Sequence, residues 1–547
     1  MRWIRTLVYL QPIQIYGRLW YKIYKPKPNF SPALERRPLY SSWQSPISRK
    51  ASLLDQFTFK FLNEEQKVTC RKDWDNPNLS KLWRYNLHYF DDLNAIEAPL
   101  RNAWHKSLLQ RWITENPPAE GTGWEPYPTS LRIINWIKWS LAGNDLPPAA
   151  MHSLAVQTRW LNNHIEFHLL GNHLFSNAKA LIFAGFFLKG PEADRWCDRG
   201  FSILEQQIPE QILEDGGQFE LSPMYHSLAL EDMIDLLNVC KVYENALSPR
   251  WQKVVKNWPE LICRMHRWLI VMNHPDGEIS FFNDAALGIA PNLLQLEGYA
   301  QRLGLQLTRS NSENVTHLDP SGYIRVDQDD MVAILDVGSI GSEYLPAHAH
   351  ADTLSFELSL FGQRIIVNSG ISQYGVDQER NRQRGTAAHN TVVINNQDSS
   401  EVWAGFRVGR RAYPKISEVI EENTFVKITA SHNGYRWMPG KNVHQRTWLF
   451  LNGSIIIEDS IVGDFDEAQM FLYIHPSIKI VDDSNDDRRV ILYLQDKKCV
   501  LQVEEGNIQI KESTWHPQFG ETILNTCLMV NFFSPTLKTT ISWENIT

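Results

Sequence analysis

The chain has 547 residues, 43% of them apolar and 21% charged, with a formal net charge of −8. That length exceeds what one hydrophobic core serves and calls for two or more domains, while the acidic balance excludes a general attraction to nucleic acid. No apolar run reaches the roughly 18 residues of a transmembrane helix, and six cysteines without CxxC spacing exclude a zinc ribbon and a dense disulfide framework.

Residues 1–75 read as a basic lead-in interrupted by prolines. The opening MRWIRTLVYLQPIQIYGRLWYKIYKPKP mixes basic and aromatic residues, but Gln11, Pro12 and Gln14 break its apolar run. It therefore makes a poor signal peptide, which leaves the cytoplasm as the default compartment and the periplasm or exterior as alternatives. A helix lying along a membrane surface is a further option for this stretch. A short strand pair is expected around residues 57–61.

From residue 76 to 315 the apolar spacing is helical, as in segments 154–170, 177–188, 227–243 and 251–272, with Gly/Pro/Asn punctuation at 143–148 and 189–192. Helix, turn, helix units of this size predict a helical solenoid or toroid. From 316 to 547 the pattern becomes short apolar runs between turn residues: 331–337, 353–360, 364–368, 391–394, 448–450, 454–461 and 490–494. Many strands without interleaved long helices predict an antiparallel sandwich, and the polar stretch 311–319 suits a linker.

Four stretches carry groups capable of chemistry. In GWEPYPTSLR, Trp124, Tyr127 and Arg132 lie at a helix start, where an arginine can hold a carboxylate or sulfate; a capped helix with a snorkelling Arg132 explains the pattern equally. In LGNHLFSN, Asn172 and His173 sit between apolar helical segments and need partners if buried. In DGGQFELSPMYH, a Gly-bearing loop presents Glu220, Tyr225 and His226 ahead of a helix. In AHAHADTLSFELSL, His348, His350 and Asp352 alternate, so an extended backbone would put all three on one face, where they could bind a metal or move a proton.

The motifs GNHLFSNAKAL, DGGQFELSPMYH, HAHADTLSFEL with GQRIIVNSGISQYG, and TAAHNTVVINNQDSSEVW together resemble the heparinase II/III family of polysaccharide lyases over about residues 80 to 460. The resemblance implies an α+β multidomain fold, an N-terminal incomplete (α/α) toroid followed by a C-terminal antiparallel β-sandwich. It implies cleavage of a uronic-acid-containing anionic polysaccharide by β-elimination. A base takes the C5 proton, the uronate carboxylate is neutralised, and an acid protonates the departing O4. By motif, Asn172 and His173 resemble the carboxylate-neutralising pair, Tyr225 the Brønsted acid and base, and His348 a second acid/base. His173 and Arg132 are the expected neighbours that lower the Tyr225 pKa.

His350 and His389 resemble two ligands of a structural zinc whose third family ligand is an aspartate. Asn368 stands in that place and weakens the case for metal, while Asp352 is expected to support the strand start and not to bind. Trp124, Tyr127, Arg132, Glu220, Tyr374, Arg384 and Trp403, with Gln397 and Arg407, are expected groove residues. The sequence leaves two alternatives: a glycoside hydrolase using Glu220, Glu231 or Asp284, and a glycan-binding protein without activity.

Overall fold

A computed structural model describes residues 2–309, 313–482, 486–494 and 497–543. Two short N-terminal helices, α1 (Arg2–Leu7) and α2 (Pro12–Ile23), precede an extended stretch and a hairpin, β1 (Thr58–Phe61) and β2 (Glu64–Lys67). The lead-in does not hang free. Ile47, Leu53, Phe59, Val68 and Trp74 are buried in the same core as the helices that follow.

Those helices are α3 (Lys81–Tyr89), α4 (Asn102–Glu115), α5 (Pro126–Leu141), α6 (Pro148–Asn163), α7 (Gly171–Phe187), α8 (Pro191–Gln211), α9 (Pro223–Val242), α10 (Pro249–Val255), α11 (Trp258–Val271) and α12 (Leu293–Arg302). Proline at the first or second position opens several of them, where its missing N–H costs nothing. Pro259 also explains one departure from the sequence expectation. Segment 251–272 is two helices, because proline cannot continue the ladder and instead starts α11. Segment 154–170 likewise ends as a helix at Asn163, and the turn that follows leads into α7.

The C-terminal half opens with β3 (Val315–Leu318), β4 (Tyr323–Gln328), β5 (Met331–Asp336), β6 (Phe356–Leu360) and β7 (Gln363–Ile366). Residues 311 and 312 of the expected linker lie outside the described residues, and 315–318 of it are strand. Next come α13 (Gln378–Arg384), β8 (Val392–Ile394), β9 (Val402–Trp403), β10 (Arg407–Val408), β11 (Pro414–Glu422), β12 (Phe425–His432), β13 (Val443–Leu451), β14 (Ser454–Val462) and β15 (Ala468–Ile474). The chain closes with β16 (Lys479–Asp482), β17 (Arg489–Leu494), β18 (Lys497–Val503), β19 (Ile508–Trp515), β20 (Ile523–Phe532) and β21 (Thr536–Trp543).

Two large antiparallel sheets result, in the orders β11-β12-β13-β14-β21-β18-β17-β16 and β19-β20-β15-β7-β6-β5-β4-β3, with β8 on β15, and β9 and β10 pair separately. Strands such as β13 and β14 alternate buried and half-exposed residues, as expected of a sheet with one face in the core. A third apolar cluster crosses between the halves: Leu221, Trp268, Met272 and Phe282 pack on Leu318, Tyr323 and Ile334.

Inside the sandwich, Arg446 makes a two-pronged contact with Asp459 at 2.7 and 3.0 Å and also donates to the carbonyls of Leu354 and Asn390 at 2.8 and 2.6 Å. His444 closes the group at 2.7 Å from Asp459. Burial raises the Asp459 pKa, but Arg446 and His444 outweigh it and hold it down to about 2. Because the folded pKa is depressed, the carboxylate's stabilising contribution is complete above about pH 4. It is lost as the pH falls through about 2. Arg446→Met should therefore lower urea stability at neutral pH by about 3–5 kcal/mol, and the gap to the wild type should narrow on acidification below about pH 4.

Candidate active site

Three turns from the helical half and two from the sandwich half converge on one place. Asn172 and His173 open α7. The turn before them is strained: Leu170 has φ 64° and Gly171 φ 54°. A Cβ on Gly171 would meet the side-chain ends of Leu345 at 2.5 Å and Glu220 at 2.9 Å, so glycine suits both the left-handed φ and the close approach to the sandwich side. Tyr225 lies in the first turn of α9, capped by Ser222, whose hydroxyl accepts from the Tyr225 N–H at 3.3 Å. Beside it Leu221 is also in the left-handed region, at φ 58°. Non-glycine residues held there cost about 1–3 kcal/mol each and persist where the surroundings over-determine them.

The third turn, after α11, carries Asn283 and Asp284. Asp284 is fully buried and accepts from Arg380 through both guanidinium arms, at 2.5 and 2.7 Å, and from His348 Nδ1 and His350 Nε2, each at 2.8 Å. Burial alone would raise the Asp284 pKa, but Arg380 and the two histidines outweigh it and hold it well below the usual carboxylate range. The neighbouring backbone is tied in the same way. Asp284 N–H donates to the His348 carbonyl at 2.9 Å, His350 N–H to Asn283 Oδ1 at 3.0 Å, and the Ser222 hydroxyl to the Asp284 carbonyl at 2.6 Å.

His348 is thereby fixed with Nδ1 on an ionised carboxylate, leaving Nε2 free toward Glu220 Oε2 at 3.6 Å. Its ring lies 4.0 Å from that of Tyr225, and the Tyr225 hydroxyl is 3.0 Å from that of Tyr374. On the opposite wall His173 stacks on Tyr127 at 4.4 Å, and Tyr127 adjoins Tyr85 and Tyr89. Glu166 lies 3.2 Å from His173 Nδ1; burial works against the imidazolium, but Glu166 prevails and the pKa rises. Burial raises the Glu220 pKa and favours its neutral form.

Several sequence expectations need correction. Arg132 is wholly buried, stacked 3.8 Å from the centre of Trp112 and donating to Gln157, so it reaches no substrate. Trp124 is buried in the same aromatic core. Arg384 is buried too, donating to the Ala349 carbonyl, with its pKa lowered by burial to about 9. Trp403 is covered by Trp3 of α1, with Arg407 stacked on both, while Gln397 is exposed in the turn after β8. The Tyr225 pKa is raised and not lowered: burial, Tyr374 and Asp284 push it well above 10 and outweigh the nearby Arg380. The stretch 348–352 is not a strand, since β6 begins only at Phe356. The hydrolase alternative keeps Glu220 in the site but loses a partner acid for it, because Asp284 is locked by Arg380 and Glu231 is buried against Arg49.

The metal expectation changes its third member. His350, Asp352 and His389 are buried and offer ligand atoms within 4.8 Å of one another. His350 Nδ1 and His389 Nε2 have no protein partner. Asn368 Oδ1 instead sits 3.2 Å from His389 Nδ1, so Asn368 orients that ring, and it is Asp352 that lies with the two histidines where a third ligand would be needed.

Sequence comparison matches the Heparinase II/III N-terminus over residues 64–301 and the Heparinase II/III-like C-terminal domain over 310–544. A heparin-sulfate lyase of Bacteroides stercoris is 24% identical over 515 residues, covering 83% of this chain and 70% of its own. A heparin-sulfate lyase of Pedobacter heparinus is 26% identical over 361 residues, covering 61% of this chain and 50% of its own, so the chain spans about half the length of that relative. The crystal structure of a heparinase III superposes with a TM-score of 0.69 at 16% identity, over 89% of this chain and 80% of the other, which shows a shared fold.

Asp284→Asn leaves Arg380 charged, buried and without its carboxylate. Denaturant titration of this variant should show a loss of about 3–5 kcal/mol, with the two halves unfolding in separate steps. An unchanged single transition would show that the halves are held by apolar packing alone.

Proposed function

The chain belongs to the heparinase II/III family, and from that premise we propose that it is a polysaccharide lyase that cleaves a uronic-acid-containing chain by β-elimination. The observation that carries the reading is the arrangement of His348 and Tyr225, ring to ring, between Asp284 on one side and Tyr374 on the other.

In this reading Asn172 and the raised-pKa His173 take the uronate carboxylate and stabilise the enolate-like intermediate. His348 Nε2, with Nδ1 held by Asp284, takes the C5 proton. The electron pair of that C–H bond forms the C4=C5 double bond as the C4–O4 bond breaks. Tyr225, whose high pKa keeps the phenol protonated at rest, gives its proton to O4. The imidazolium and phenolate left behind lie side by side, where they can exchange the proton before the next turnover. Tyr127, with Tyr85 beside it, supplies flat faces suited to sugar rings.

Four of the cations around this place are already engaged. Arg132 and Arg384 are buried, Arg380 is bound to Asp284, and Lys81 pairs with Glu125 at 2.9 Å. That favours a uronate chain without dense sulfation.

His350, Asp352 and His389 fit a structural divalent cation such as zinc, with two buried imidazole nitrogens unpartnered and both rings held neutral, chiefly by burial. Such an ion would neutralise Asp352 and clamp the turn that carries His348.

Purified protein should produce the ultraviolet absorbance of an unsaturated uronate from unsulfated polyuronates in preference to heparin. Tyr225→Phe and His348→Ala should each reduce it by at least about a hundredfold. Near wild-type turnover in Tyr225→Phe would overturn the assignment. Dialysis against a chelator should lower Tm, and zinc at a hundredfold excess over Kd should restore it by adding about 3 kcal/mol of stability. A chelator-insensitive Tm in metal-free protein would contradict the cation.

A further inference from the structure

The two N-terminal helices bridge the halves of the molecule and then leave an apolar face uncovered. Helix α1 sits on the sandwich. Arg5 donates to Glu401 at 2.5 and 2.8 Å, Trp3 meets Trp403 edge-on at 4.9 Å, and the Tyr9 hydroxyl lies 3.2 Å from that of Tyr413. Helix α2 sits on the turn that precedes Asn172. Tyr21 packs on His168 at 4.5 Å, Gly17 lies against the same histidine, and the buried Gln14 side chain donates to the Tyr344 carbonyl at 3.2 Å.

These contacts use one side of α2 only. Gln14, Gly17 and Tyr21 share the inward face, while Ile15, Leu19 and Ile23 recur every fourth residue on the outward side with Tyr16 and Trp20 beside them. Ile4, Val8, Ile15, Leu19, Trp20 and Ile23 are between 50% and 76% exposed. Arg18 and Lys22 run along one edge of this stripe, and Lys25 and Lys27 follow it, all exposed. The chain carries no Asp or Glu before Glu35 although its net charge is −8.

Exposed large apolar residues gathered in this way are unusual on a protein surface that faces only water. Tryptophan, tyrosine and basic side chains beside it match the boundary between lipid headgroups and acyl chains, where apolar groups enter and cations meet anionic headgroups. A second copy of the chain fits less well, because two such faces would oppose like charges.

We propose that the outward face of α1 and α2 docks the protein on an anionic lipid surface. The helices lie in the interface plane, and their inward contacts hold both halves of the molecule against it. Because α2 packs on the 164–168 turn leading to Asn172 and His173, docking sets the orientation of the candidate active site relative to that surface.

The test is flotation of the full chain with phosphatidylcholine vesicles, with and without phosphatidylglycerol at about one lipid in three. The protein should float with the anionic vesicles, more weakly with phosphatidylcholine alone, and less as salt increases. The double variant Leu19→Ser/Trp20→Ser should lose at least about tenfold in partitioning. Arg18→Gln and Lys22→Gln should each lose about fivefold at low salt. All these variants should keep the wild-type Tm and turnover on soluble polysaccharide, since the side chains point away from the fold. Absence of flotation with anionic vesicles overturns the proposal. So does a dimer, detected by light scattering, that does not float and that Leu19→Ser/Trp20→Ser dissociates, which would assign the face to a second copy.

Discussion

The buried carboxylate of Asp284 is the constraint on which the rest of the site depends. It stands on a turn of the helical half, yet every side chain that donates to it, Arg380, His348 and His350, comes from the sandwich half. An ionised carboxylate in such a place is tolerable only with several charge-assisted partners, and the two arms of Arg380 supply the largest share. The same contact does three things. It joins the domains, fixes the tautomer of His348, and holds His350 with its other nitrogen turned toward Asp352 and His389.

Around that anchor the backbone is strained where the chemistry requires close approach. Leu170 and Gly171 precede Asn172, and Leu221 lies between Glu220 and the cap of α9. Leu221 is held across the interface by Tyr323 and from its own half by Asn283, which both donate to its carbonyl, while Gly171 leaves room for Leu345 of the sandwich half and for Glu220. In the proposed elimination neither domain alone supplies all the groups. The helical half offers Asn172, His173 and Tyr225, the sandwich half His348 and Tyr374, and their relative positions follow from how the turns around Asp284 are sewn together.

Much of this was legible in the sequence because it is written in local patterns. The change from helical to alternating spacing near residue 318 marks the two architectures, and motifs with His, Asn and Tyr between apolar segments mark the turns that converge. What was not legible depends on partners distant along the chain. Arg380 sits in QERNRQR, which reads as a solvated helix, and only the fold brings it to Asp284. Arg132 looks like an anion site at a helix start, but the tryptophans that bury it come from α4 and from the turn before α5. Asn368 stands where a family aspartate is expected, and only the three-dimensional arrangement shows Asp352 reaching the place beside His350 and His389.

The central claim is that Asp284 acts on the reaction through His348. A double-mutant cycle of Asp284→Asn and His348→Ala, read as kcat/KM on a cleaved polyuronate, tests this most directly. The account predicts that the double variant lies within about twofold of His348→Ala alone, because both changes remove one function. Two losses that multiply would contradict it, and would mean that the carboxylate and the imidazole contribute separately.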